Sequence, residues 1–229
     1  MVFLFIEAGR KRYLSSFLKD FIRVFKKKNI KYLVLLAVVL LLTMLFMDLV
    51  VLAAIQKISS PIVLRLIDLG NKFGDGHYLF PLLLVLYTLG VALDKKELRF
   101  LAMIALVSAI LSGLTGQILK IAFLRARPNV GLGPLCFFDF AGVIKQDLLF
   151  TWQYKSFPSG HTTNAFSAVL PFVLAMKNRL IKVALLILPV MTGIARIFYN
   201  KHWPSDIIMG VALGVYVSYI IYTGNKDKI

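Results

Sequence analysis

Six stretches of this chain are apolar for about the length that a lipid bilayer demands. A hydrocarbon core about 30 Å thick takes roughly 20 residues of α-helix. The stretches are Tyr32 to Ala54, about His77 to Leu93, about Phe100 to Phe123, about Thr162 to Met176, about Ile181 to Ala195 and about Asp206 to Thr223. They are continuously apolar and do not alternate with a period of two, so they read as helices rather than barrel strands. The expected fold is all-α: an integral membrane bundle of six transmembrane helices over residues 32–229, preceded by a basic amphipathic segment at residues 1–31. In that segment Leu14, Phe17, Leu18, Phe21, Ile22 and Phe25 recur at helical spacing, with Lys19, Arg23 and Lys26 to Lys28 between and after them. Such a helix lies in the membrane interface, held by anionic lipids. The apolar run Val2 to Ile6 is too short for the core of a signal peptide.

Composition supports the membrane reading. Of 229 residues, 59% are hydrophobic and 17% charged. Soluble domains run at about 45–50% apolar even with glycine counted. A net charge of +16 would point a soluble domain towards nucleic acid. Here the cations sort by face instead. Seventeen of the 27 Lys and Arg fall in residues 1–31, the 94–99 loop, residues 177–182 and the tail. The other ten fall in three segments between the remaining span ends, about 56–76, about 120–161 and about 196–205. The positive-inside rule makes the first side cytoplasmic, with both termini there. No nucleic-acid partner is expected. One cysteine, Cys136, excludes an internal disulfide and a Cys-based metal cluster.

The residues with chemistry all fall on the other face, in three clusters. Lys120 and Arg127 are seven residues apart, about two helical turns, which puts them on one helix face. Pro128 should end that helix near Arg127, and Arg125 is a possible third cation. Phe157-Pro158-Ser159-Gly160-His161-Thr162 stands directly before the fourth span. Gly160 lets the backbone approach a ligand, and free N–H groups at a helix start favour an anion. Ser159 can add a hydroxyl donor. His161 can give or take a proton near neutral pH. Between the fifth and sixth spans lie Arg196, His202 and Asp206. Pro204 suits the first turn of the sixth helix. Asp206 is then about one turn from His202, where it can accept the proton of one ring nitrogen and make the other a better nucleophile. Anchoring, capping and loop tethering explain each cluster taken alone. Together they supply what phosphoryl transfer needs: cations and amides for the phosphate oxygens, a nucleophile, and an acid for the leaving oxygen.

Lys-x6-Arg-Pro, then Pro-Ser-Gly-His, then Arg-x5-His-x3-Asp, in this order over roughly Gly70 to Gly210, resembles the type 2 phosphatidic acid phosphatase family. Its membrane members dephosphorylate lipid phosphates, and its soluble relatives include vanadium haloperoxidases. The resemblance implies that His202 is the nucleophile, forming a phosphohistidine, and that Asp206 orients it. It implies that His161 protonates the leaving alkoxide, and that Lys120, Arg127, Ser159, Gly160 and Arg196 hold the phosphate. It implies metal-independent chemistry with no cofactor, and the outer segments show no carboxylate cluster of metal-site density. The family usually carries Ser before the Arg of the third motif; here Ala195 stands there.

The implied substrate is a lipid phosphate in the outer leaflet of a bacterial inner membrane. Lipid A 1-phosphate, undecaprenyl pyrophosphate and phosphatidylglycerol phosphate are candidates. The aromatic-rich loop 131–155 inclines the choice to lipid A, whose head group is large. A lipid-to-lipid phosphotransferase would use the same residues. A transporter would show matching broken helices in two repeated halves, and the sequence has no such repeat. Three further features stay open. Asp48, inside the first span, either pairs with a site cation or faces a polar seam. His77, in Gly74-Asp75-Gly76-His77, either borders the site or caps a helix. Trp203 shapes the pocket or is an interfacial aromatic.

Overall fold

The first apolar stretch folds as one long helix with an internal irregularity. α1 (Lys27–Leu42) passes through a π-helical turn at Thr43–Met47 into α2 (Asp48–Gln56). Thr43 Oγ1 donates to the Val39 carbonyl at 2.7 Å, just ahead of the turn. Asp48 emerges from the turn fully buried, while its neighbours Leu49 and Val50 face outward. The coordinates are a computed structural model that describes residues 27–138, 140–145 and 151–226. The expected interfacial helix at residues 13–25 lies outside them.

Every regular element among the described residues is helical. α3 (Pro61–Gly74) and α4 (Gly76–Ala92) meet at Asp75, bent by 71°. α5 (Lys96–Phe123) follows after a short turn. A 3₁₀ turn at Pro128–Val130 and the short α6 (Phe140–Lys145) interrupt the long outer segment. α7 (Gly160–Ala175), α8 (Arg179–Phe198) and α9 (Pro204–Thr223) complete the chain.

Among the described residues, four helical stretches are long and apolar enough to cross a membrane: Ile30–Gln56, Lys96–Val130, Arg179–Phe198 and Pro204–Thr223. The bent pair α3–α4 makes a fifth if it counts as one span. The chain is therefore a multi-pass membrane protein. The stretch expected as the fourth span is the helix α7, which at 16 residues is shorter than these.

α3 was not expected from the apolar runs. It forms because Pro61 occupies the first helical position, where its missing N–H costs nothing. Ile67, Gly70 and Gly74 recur on one face and are buried, while Arg65, Asp68 and Lys72 stay exposed. That buried face lies on α8. A Cβ at Gly70 would stand 2.5 Å from the Met191 carbonyl carbon, so only glycine admits this approach.

α7 is the centre of the bundle, packed by α5, α8 and α9. Lipid gives helices no hydrophobic reason to associate, so close approach and hydrogen bonds carry the packing. α7 buries small residues, among them Thr162, Thr163, Ala165, Ser167 and Ala168. Ser112 of α5 donates to Ser167 Oγ at 2.9 Å, and Ser218 of α9 donates to the Ser167 carbonyl at 2.8 Å. α9 closes on α7 at Gly214, where a Cβ would stand 2.5 Å from the Thr163 carbonyl oxygen. Gly214→Leu should therefore cost about 1–3 kcal/mol or more by overpacking. Ile118→Leu, on a side chain 68% exposed, should stay within about 0.5 kcal/mol. Thermal unfolding in detergent micelles measures both.

Candidate active site

α5 ends four residues earlier than the position of Pro128 suggests. Leu124 takes a left-handed conformation (φ 40°) and its N–H bonds the Lys120 carbonyl. A bulky residue pays strain there, and the Leu124 side chain is buried with Ala126, Val143 and Tyr154. Lys120 thus lies in the last turn of α5, while Arg127 lies beyond it on extended backbone ahead of Pro128. The two cations do not share a helix face. They meet because the chain turns back at Leu124.

Both line a cavity of about 460 Å³ at the end of the bundle. Gly160, His161, Arg196 and His202 line it as well, so six of the eight expected site residues share one wall system. Asp206 stands directly behind His202, with Oδ2 at 3.4 Å from His202 Nδ1. Nδ1 has no other partner among the described residues, and the ring is almost fully buried. Ser159 differs from expectation. Its hydroxyl is paired with Thr162 Oγ1 at 2.9 Å, inside the bundle and off the cavity wall. That pairing leaves the start of α7 with no side-chain cap. Its first N–H groups and Gly160, beside Lys120 Nζ, form the anion-favouring end of the cavity.

The cations of the wall are only partly satisfied. Arg196 donates to Asn71 Oδ1 at 2.8 Å, and Arg127 reaches the Lys155 carbonyl at 3.5 Å. The Nε atoms of both are buried without a partner among the described residues. Buried guanidinium donors left unpaired are costly unless an anion takes them. Among the described residues, no three His, Cys, Asp or Glu side chains cluster as metal ligands would.

Arg125 does not join the cavity. It is fully buried between two carboxylates, bonding Asp206 Oδ1 through one terminal nitrogen and Asp48 Oδ2 at 2.7 Å through the other. It also donates to Ser205 Oγ and to the Pro134 carbonyl. Asp48 accepts from Ser205 twice, at the backbone N–H (2.8 Å) and the hydroxyl (2.7 Å). The open question over Asp48 resolves as a pair with a buried cation. Asp206 Oδ2 accepts in addition from Ser156 Oγ and from the Trp203 N–H at 2.9 Å. Trp203 is itself buried, and its indole N–H donates to the Ala126 carbonyl at 2.9 Å, so it braces the turn after α5.

Several cavity residues escaped the motif reading. Gln117 lies one turn before Lys120 and Asn164 one turn after His161, each on the cavity face. Helical spacing from the motif residues could have found both. Asn71 and Asp75, at the α3–α4 joint and off the cavity wall, reach Arg196 and His161 and carried no such signal. His77 lines the cavity at the start of α4, so of the two readings it borders the site; the cap of that helix is Asp75, which accepts from the His77 N–H.

The model of the PAP2 superfamily matches residues 101–229, which hold all three motifs. The chain belongs to the PAP2 superfamily. The resemblance seen in the motifs is thereby borne out. The lipid A 1-phosphatase of Rhizobium etli is 28% identical to the chain over 166 residues, 67% of either sequence. The solved structure of Aquifex aeolicus LpxE matches with a TM-score of 0.52 at 25% identity, over 77% of this chain and 94% of that one. A PAP2-type phosphatidylglycerolphosphate phosphatase structure from Bacillus subtilis matches with a TM-score of 0.58 at 20% identity, over 95% and 97%. The last likeness speaks for the fold. In this PAP2 chain the departing residue, Ala195, is buried in the last turns of α8 and is absent from the cavity wall.

Removing Arg125 would leave Asp48 and Asp206 buried without their cation. Arg125→Leu should cost about 3–5 kcal/mol, read as a lowered unfolding midpoint in detergent.

Proposed function

We propose that the chain is an integral-membrane lipid phosphatase that works through a phosphohistidine at the periplasmic face of a bacterial inner membrane. His202 carries this reading. It is a buried imidazole with a carboxylate behind Nδ1 and its other edge on a cavity walled by Lys120, Arg127, Arg196 and the uncapped start of α7. Membership of the PAP2 superfamily and the similarity to a lipid A 1-phosphatase support it.

The three cations and the α7 amides bind the phosphate oxygens and meet the charge that grows on them in the transition state. His202 Nε2 attacks phosphorus as the ester P–O bond breaks. Asp206 keeps Nδ1 protonated and offsets the positive charge on the ring. His161 gives its proton to the leaving oxygen. Water then attacks the phosphohistidine, returning a proton to His161 and releasing inorganic phosphate. The cations do what a metal ion does in other phosphatases, so no metal enters these steps.

The substrate class is a lipid phosphomonoester or pyrophosphate. Lipid A 1-phosphate comes first, with undecaprenyl pyrophosphate and phosphatidylglycerol phosphate after it. Trp152, on the cavity wall, and the exposed Phe138 and Leu135 of the outer loop offer apolar rim to a large head group. The topology follows from six spans with α7 as the fourth. An even count puts both termini on the side that carries seventeen of the 27 cations, the cytoplasm.

Phosphate release by the purified protein in detergent, across a panel of lipid phosphates, tests the reading. His202→Ala should lower turnover by at least about 10³-fold, and EDTA should leave the wild-type rate unchanged. Full turnover by His202→Ala would sink the mechanism. Burial holds the His202 imidazole well below its ordinary value. The nucleophile must be neutral, and a lowered value keeps it neutral as pH falls. The acid limb of kcat/KM should therefore lie below pH about 6.5, the ordinary histidine value.

A further inference from the structure

The joint between α3 and α4 forms one side of the site. Asn71 accepts from Arg196 there, and one turn later Asp75 bonds His77, which lines the cavity beside Gly76. Asp75 Oδ1 accepts from the His77 N–H at 3.0 Å and lies 2.9 Å from His77 Nδ1. Its other oxygen, Oδ2, stands 3.9 Å from His161 Nε2, within ion-pair reach and beyond a direct hydrogen bond.

Burial is the largest influence on His161 and favours the neutral ring, and the other charges acting on it are positive. Arg196 faces it from α8, Lys120 from the end of α5, and Arg127 from the segment after α5. The remaining titratable groups of the cavity wall, His77 and His202, add no negative charge. An acid must keep its proton until the ester oxygen takes it. Three nearby cations work against an imidazolium, and a carboxylate works for it. Asp75 is the carboxylate that faces His161 among the described residues.

We propose that Asp75 is a positioning residue for the leaving-group step: its carboxylate, facing Nε2 of His161, favours the protonated ring against burial and the surrounding cations, so that the other ring nitrogen delivers its proton to the departing oxygen. The inference rests on the phosphatase reading above. The proton moves from His161 to the ester oxygen as the P–O bond breaks, and Asp75 stays a carboxylate throughout. The cavity then holds two His–carboxylate pairs. His202 with Asp206 forms the new bond to phosphorus, and His161 with Asp75 releases the old one.

Asp75→Asn separates this role from the structural one. Asn caps a helix as well as Asp does, so α4 keeps its start while the charge is lost. Asp75→Ser, also a capping residue, is a second neutral variant should the first not fold. The readout is kcat/KM of the full-length protein in detergent, because it covers only the steps up to departure of the leaving group. For a lipid phosphate, whose alkoxide needs a proton, it should fall about 10- to 100-fold, a share of the roughly 10²–10⁴ that general acids contribute. For p-nitrophenyl phosphate, whose phenolate leaves without a proton, it should stay within about threefold. The basic limb of the lipid-phosphate profile should move to lower pH, since the imidazolium has lost its carboxylate. Asp75→Glu, which keeps the charge, should hold that limb near its wild-type position. Equal loss on both substrates, no loss on either, or an unmoved basic limb overturns the inference. An active His202→Ala would instead overturn the phosphatase mechanism itself, so the two failures are distinguishable.

Discussion

Arg125 is the one buried cation on which the site is hung. It has no exposed surface, and it lies between Asp48 of the first span and Asp206 of the last helix. Charges placed in a membrane protein's interior are expensive unless each finds a partner. Here the cost is met by geometry. The planar guanidinium donates in three directions, to Asp48, to Ser205 with Asp206, and to the Pro134 carbonyl. Those bonds join α2, the outer segment after α5, and the first turn of α9. The aromatic faces of Phe137 and Trp203 cover the group at 4.8 and 5.7 Å. His202 depends on this assembly at one remove, because the carboxylate behind it is fixed by Arg125 and not by solvent.

The bundle beneath is assembled by contact rather than by exclusion of water. α7 lies against its neighbours at backbone distance, and its hydroxyls bond across to α5 and α9. This places the uncapped start of α7 level with the ends of α5 and α8. The cavity exists because one helix starts where two others stop, and its positive charge comes from the residues at those stops.

Much of this was legible in the chain because a bilayer permits so few structures. The apolar runs named the long helices, and the three motifs taken together named Lys120, Arg127, His161, Arg196, His202 and Asp206 as one site, although Lys120 and Arg127 do not share the helix face their spacing suggested. Asp206 behind His202 followed from a single helical turn. Other features needed coordinates for definite reasons. The early end of α5 turns on strain at Leu124, which no propensity announces. α3 escapes a search for spans because Arg65, Asp68, Asn71 and Lys72 break its apolar run well short of the length of a span. Asp48 and Ser205 are 157 residues apart, and no local pattern links them. Ser159 reads as a phosphate donor by its place in the motif, yet its hydroxyl is taken by Thr162, one turn along the same helix. Asn71 and Asp75 belong to no motif, and nothing in sequence says that the α3–α4 joint folds against the site.

The π-helical turn at Thr43–Met47 has a consequence for the first span. A π-turn is one residue inserted into an α-helix, and one residue is about 100° of rotation. The insertion uncouples the azimuth of α2 from that of α1. α1 shows Val34, Leu35, Val38 and Leu41 to the surroundings, while α2 aims Asp48 inward. A single span thereby answers to two neighbours, hydrocarbon along its first half and a buried guanidinium at its second. One residue of chain length in that turn sets the compass bearing of the carboxylate.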